Sequence, residues 1–252
     1  MTAMTPGGSE VFRHGDPTGT EDVPDYDEAK RAAIEAHLSS FLPGEPSVLH
    51  EIVSTGLHLD VFVWEPTEER PLWTLVTLGM SEREMTTPPG AEDWALAELV
   101  MTLPADWPMP DGPGSSPEVW KDPRNYWPIL LLKEAVHLPH MYQTRIAYGH
   151  TLAAGPDATD RYEGSDFNGT LVAYAMSMPP EAAALEYEGR CIFFWGLYPL
   201  YEAEMDFKLQ AGADALFEAF EEAGLHEGVF PGRKPLVNTK PQKRGFFGLG
   251  RK

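Results

Sequence analysis

Four side chains in this sequence are of the kinds that hold metals or pair with one another: His58, Asp60, Glu98 and His150. His58 and Asp60 are two apart in an alternating run, so on a strand they project from one face. Glu98 falls in a second candidate strand, and His150 in the loop Gly149-His150-Thr151. Two imidazoles and two carboxylates suit zinc or iron. The competing reading is structural. Phe62 and Trp64 share the face of His58 and Asp60, and buried polar groups need partners. The spacing matches no known metal signature, so we expect a structural polar cluster with no metal and no cofactor.

Gly79-Met80-Ser81 is the next candidate. A serine nucleophile on a strand-to-helix elbow reads G-x-S-x-G. Here the run is G-M-S-E-R, without the second glycine, and Pro88-Pro89 follow before a helix of useful length could form. The stretch reads as a turn that ends a strand, with no catalytic residue in it. His137 and His140 are spaced i, i+3, but Pro139 between them interrupts a regular helical face, so they read as part of a helix end. Glu202, Glu204 and Asp206 load the first turns of a helix, where acids complement the dipole. The same acids could form an edge that meets a basic partner.

The elements that must carry these residues follow from periodicity. Asp25 to Leu42 predicts a helix, with Ile34, Leu38 and Phe41 on one side, Asp25 or Asp27 as its cap and Pro43-Gly44 as its stop. In residues 57–64, Leu57, Leu59, Val61 and Val63 alternate with His58, Asp60, Phe62 and Trp64. Residues 72–78 are a second strand, and the polar loop between the two makes an antiparallel hairpin. Residues 91–103 are ambiguous: composition favours a helix, whereas Leu99, Met101 and Leu103 alternate with Glu98, Val100 and Thr102 as in a strand. Residues 104–117, rich in Pro and Gly, read as a loop. Residues 125–136 predict a helix with Pro128 in its first turn. Residues 171–177 and 191–197 predict strands. Residues 202–211 and 214–223 predict helices stopped by Gly212 and Gly224. Strands and helices without regular βαβ alternation define an α+β chain.

Charge limits the partners. Through Phe230 the chain holds 12 Lys and Arg against all 39 Asp and Glu, and the last 22 residues hold seven Lys and Arg with no acid. An acidic body is repelled by nucleic acid and anionic membranes and drawn to basic partners. Cys191 is the only cysteine, which excludes an internal disulfide and a four-cysteine zinc site. No apolar window is long enough to span a membrane, the first residues do not resemble a signal peptide, and a cytoplasmic protein is expected. We expect a loose arm over 1–24, one domain over 25–240 and a basic tail over 241–252. No phosphate-binding glycine loop or nucleic-acid motif is present.

Four ordered stretches resemble the Suppressor of fused family in its short, single-domain bacterial form. They are V-L-H-E-I-V-S (48–54) with H-L-D-V-F-V, and T-L-V-T-L-G-M-S (74–81) with A-E-L-V-M-T-L-P-A-D-W (97–107). N-Y-W-P-I (125–129) through Y-G-H-T-L (148–152) follows, and Y-P-L-Y-E-A-E-M-D-F-K-L-Q-A-G-A-D-A-L (198–216) is the most specific. The resemblance covers residues 28–240. It implies an α+β domain with a mixed β-sheet flanked by helices, and a strand over 97–103 against raw propensity. It also implies that Gly79, Met80 and Ser81 lead into a loop on the partner-binding side. In animals the family's best-known member grips a peptide of a zinc-finger transcription factor. This chain resembles only the first of that protein's two domains, so that partner does not carry over. Many bacterial members are thought to act as immunity proteins that neutralise toxins. The resulting expectation is a non-catalytic protein-binding domain, directed at a basic toxin domain. The alternatives are a metal-dependent enzyme built on His58, Asp60, Glu98 and His150, and a regulatory adaptor with another partner.

Overall fold

The computed structural model describes residues 3–12, 14–17, 27–50, 57–110, 117–157 and 159–237. The elements in chain order are β1 (Ala3–Met4), β2 (Glu10–Val11), α1 (Glu28–Ser39), β3 (Ser47–His50), β4 (Asp60–Trp64), β5 (Leu72–Leu78) and β6 (Leu96–Pro104). These are followed by α2 (Pro123–Met141), β7 (Thr151–Ala153), β8 (Gly169–Tyr174), β9 (Ala184–Tyr187), β10 (Arg190–Leu200), α3 (Glu202–Ala211) and α4 (Ala213–Glu222). β1 and β2 form a separate hairpin. The other eight strands make one sheet in the order β3-β4-β5-β6-β10-β8-β7, with β9 also paired to β10. The β6–β10 pair is parallel and the remaining pairs are antiparallel.

This mixed sheet is buried on both faces, which explains why β4 is apolar at odd and even positions alike. Val61 and Val63 of β4, Leu75 of β5, Leu99 and Met101 of β6 and Leu197 of β10 pack with Ile129, Leu132 and Val136 of α2. On the opposite face Phe62, Trp64, Val76, Val100 and Phe194 pack with Ile34 and Leu38 of α1. Further along that face Leu171, Ala173, Tyr198 and Leu200 meet Leu216, Phe217 and Phe220 of α4. The alternation of side chains along each strand thus supplies two cores from one sheet.

The helix ends follow local chemistry. Asp27 caps α1 by accepting from the Lys30 amide at 2.9 Å, while Asp25 lies outside the described residues. Asp122 caps α2 by accepting from the Arg124 amide at 3.0 Å, and Pro123 opens the helix, as a residue without an amide hydrogen can. α2 is longer than the spacing predicts. It runs on through Pro139, so His137 and His140 lie in its last turns, and Pro128 falls beyond the first turn. Gly212, at φ 98°, closes α3 and opens α4, a backbone angle that favours glycine.

The ambiguity over residues 91–103 resolves as a single-turn 3-10 helix at Glu92–Trp94 followed by β6. β4 starts at Asp60, so His58 precedes the strand. Within the expected N-terminal arm, the Gly7 amide of the β1–β2 turn donates to the Leu209 carbonyl of α3 at 2.9 Å. The tail over 241–252 lies outside the described residues. Among the described residues no helix is long and apolar enough to cross a membrane.

Candidate functional site

The turn that follows β5 is built around a carboxylate. Gly79 sits at φ 132°, and a Cβ there would lie 2.1 Å from the His58 carbonyl oxygen, so only glycine fits. The turn directs three consecutive amides at Glu98 of β6. Gly79 and Ser81 donate to Oε1 at 3.0 Å each, and Met80 to Oε2 at 3.3 Å. The Ser81 hydroxyl adds a bond of 2.6 Å to Oε1, and the Thr77 hydroxyl one of 2.7 Å to Oε2. Consecutive amides in such a turn form an anion-binding concavity, and the chain fills it with its own side chain. Glu98 and Met80 are fully buried and Ser81 nearly so. Burial pushes the Glu98 carboxyl above the ordinary carboxylate range, opposed by the bonds from Ser81, Thr77 and Gly79.

Asp60 is a second hub. Its carboxylate is ion-paired with Arg31 of α1 and accepts from His50 Nδ1 at 2.9 Å, and His58 Nε2 lies 3.6 Å away. Lys30, the neighbour of Arg31, donates to the Ser81 carbonyl at 3.3 Å and pairs with Glu82 at 2.9 Å. Two successive cations of α1 therefore tie the helix to both hubs. His58 and Asp60 come together as their spacing suggests. Glu98, however, is engaged by residues 77–81, and His150 lies against Phe12, with ring centroids 5.4 Å apart. Burial holds the His150 imidazole at about 4, uncharged near neutrality. Among the described residues no group of three or more His, Cys, Asp and Glu is arranged to hold a metal ion.

The candidate docking residues divide. Gly79, Met80 and Ser81 are buried, because their amides turn inward to Glu98, and they present no surface to a partner. Glu204 is also fully buried. It accepts from the Tyr201 amide at 2.9 Å, which closes the first turn of α3, and from the Leu236 amide at 2.9 Å. Arg233 grips it with two nitrogens at 2.6 and 2.8 Å. The same guanidinium lies over the rings of Tyr201, Phe220 and Phe167. Glu202 and Asp206 are exposed on α3.

One buried carboxylate has no forewarning in the sequence. Glu227 follows α4, accepts from the Ser177 amide at 3.1 Å and from its hydroxyl, and lies over Gly196 of β10. Arg70 donates to the same Ser177 hydroxyl at 3.1 Å. Burial pushes the Glu227 carboxyl up to about 7, opposed by the Ser177 bonds. The nearest signal is Gly228, at φ 127° against Thr102, which marks a close approach without revealing what it positions.

The mixed sheet is thus flanked by helices, and Glu98, Asp60, Glu204 and Glu227 are each engaged by groups of this chain. The family model for the Suppressor of fused protein matches residues 56–234, and the chain belongs to that family, whose eukaryotic members are protein-interaction domains. A Suppressor of fused homologue from Neisseria gonorrhoeae is similar in fold, with a TM-score of 0.58 at 16% identity over 84% of this chain and 99% of that one. A Sufu–Fu complex gives 0.57 at 14% identity over 82% of this chain and 91% of that one. Drosophila Suppressor of Fused gives 0.55 at 13% identity; the match takes in 89% of this chain and 52% of the fly protein. No curated protein sequence matches the chain.

Proposed function

We propose that this protein is a cytoplasmic, non-catalytic binding domain that inhibits a bacterial toxin by occluding it, as an immunity protein does. The observation that carries the reading is how the chemistry-bearing groups are engaged. Glu98 takes five hydrogen bonds from residues 77–81, Asp60 is paired with Arg31, and the Ser81 hydroxyl is a buried donor. A general base or nucleophile must instead be free to reach a substrate.

Family membership supports protein binding in general, and the charge supports a basic partner. Toxin domains that act on nucleic acid are basic, and a chain of net charge −20 would meet one quickly through long-range attraction. Glu202 and Asp206 are exposed on α3 and are the acids we assign to that contact. The Sufu–Fu complex favours a second reading, a regulatory adaptor. Expressing the chain beside toxin domains encoded next to its gene, and scoring growth, tests the first reading. Rescue is expected. Rescue by none of them, together with stable capture of a non-toxin protein, would favour the adaptor.

A further inference from the structure

The β1–β2 hairpin closes one side of a cavity of about 620 Å³; the end of α2, residues 144–153 and the junction of α3 with α4 form its other walls. That volume is in the range of small-molecule sites, roughly 300–1,000 Å³. Lys208 of α3 lines the cavity and is only 3% exposed. Among the described residues no hydrogen bond or ion pair engages its Nζ, which is not fully enclosed. The two carboxylates on the wall are engaged with other groups. Glu10 lies 3.7 Å from Arg145, and Asp214 accepts from the Tyr148 hydroxyl at 2.8 Å. His150 is uncharged near neutrality, and the other cation on the wall, Arg145, faces Glu10.

Burial lowers the Lys208 pKa, and an ammonium drawn out of bulk water without an ionic partner costs stability. It is notable in a chain with 39 acids, any of which could have been placed against it. The first residues of α4, a helix of ten residues, open onto the same cavity at Gly212 and Ala213, and the positive end of a helix dipole favours an anion. Phe12, Leu138, Leu152 and Leu209 give the cavity an apolar wall.

We propose that this cavity binds a small organic carboxylate, its head group against Lys208 Nζ and its apolar body along Phe12, Leu138 and Leu209. The inference goes beyond the protein-binding reading and does not depend on it. Isothermal titration of the full chain with octanoate, 1-octanol and inorganic phosphate is the test. Octanoate is expected to bind saturably at one site per chain. Octanol, which lacks the charge, should bind at least about 10-fold more weakly, as a hydrogen bond to a charged group is worth about 1.5–3 kcal/mol. Phosphate, which lacks the apolar body, should not compete. Lys208→Met should weaken octanoate binding by about 10- to 100-fold and raise the melting temperature of the unliganded protein, because a partly desolvated, unpaired charge is removed. That rise also shows that the variant folds. Failure of octanoate to bind, equal affinity for octanol, displacement by phosphate, or unchanged affinity in Lys208→Met would each overturn the proposal.

Discussion

Replacing Glu98 separates the internal role of Gly79-Met80-Ser81 from any reactive one. In Glu98→Ala the three amides of residues 79–81 lose their acceptor, and backbone amides in a glycine-anchored turn cannot rotate to find another. A buried orphan donor costs about 1–3 kcal/mol, so the three together cost about 3–9 kcal/mol. Typical domains have a total stability of about 5–15 kcal/mol. The Ala variant is therefore expected to be largely unfolded or severely destabilised. Glu98→Gln keeps one oxygen, which can serve the donors that now reach Oε1 from Gly79 and Ser81, and leaves the Met80 amide facing an NH2 group. Its cost should be about 1–3 kcal/mol. The pH dependence has a definite sign. The folded-state pKa of Glu98 is raised, so its contribution to stability falls as pH rises above the ordinary carboxylate range. The advantage of wild type over Glu98→Gln should shrink in the same direction. Urea unfolding followed by tryptophan fluorescence measures both variants. An Ala variant within about 1 kcal/mol of wild type would refute the reasoning.

Glu227→Gln should change the pH profile of stability. The Glu227 carboxyl is raised from 4.5 to about 7, so wild type loses stability as pH rises through that window. The loss is about 3 kcal/mol at 1.36 kcal/mol per pH unit, and the variant should gain that much on wild type between pH 4 and pH 8. Parallel urea profiles at pH 4, 6 and 8 would contradict this. Gly79→Ala forces a Cβ into the His58 carbonyl at an angle that disfavours alanine; a loss of at least about 3 kcal/mol is expected by chemical denaturation. Combined Glu202→Gln and Asp206→Asn should slow association with the partner in stopped flow and lower the melting temperature only slightly, since Glu202 lies in the first turn of α3. The same rate should fall as salt shortens the Debye length from about 10 Å at 0.1 M to about 3 Å at 1 M. A rate independent of salt would remove the electrostatic argument.

Elements with strong periodicity were legible in the sequence. β5 spans Leu72–Leu78 as its composition predicts, and Gly212 divides α3 from α4. Residues 97–103 needed the resemblance, because Ala, Glu and Leu favour a helix while burial between β5 and β10 makes a strand. β7 and β9, three and four residues long, carry too few positions to display a period. The sites were harder to read because they depend on distant partners. His58 and Asp60 come together, but Arg31, the cation that neutralises Asp60, lies 29 residues away. Acids at the start of α3 look alike in sequence, yet Glu204 turns inward to Arg233 while Glu202 and Asp206 face out. Gly79-Met80-Ser81 reads correctly as a turn, and nothing local shows that its amides enclose a carboxylate from β6.

The proposed inhibition by occlusion is tested most directly by titrating a toxin whose effect on growth this protein relieves. With toxin held well above the dissociation constant, toxin activity is measured against increasing amounts of this protein. Occlusion predicts a linear fall that ends at a fixed molar ratio, with toxin recovered intact and active once the complex is separated. Complete inactivation by a small fraction of an equivalent, continuing with time and leaving altered toxin, would contradict the account and identify an enzyme.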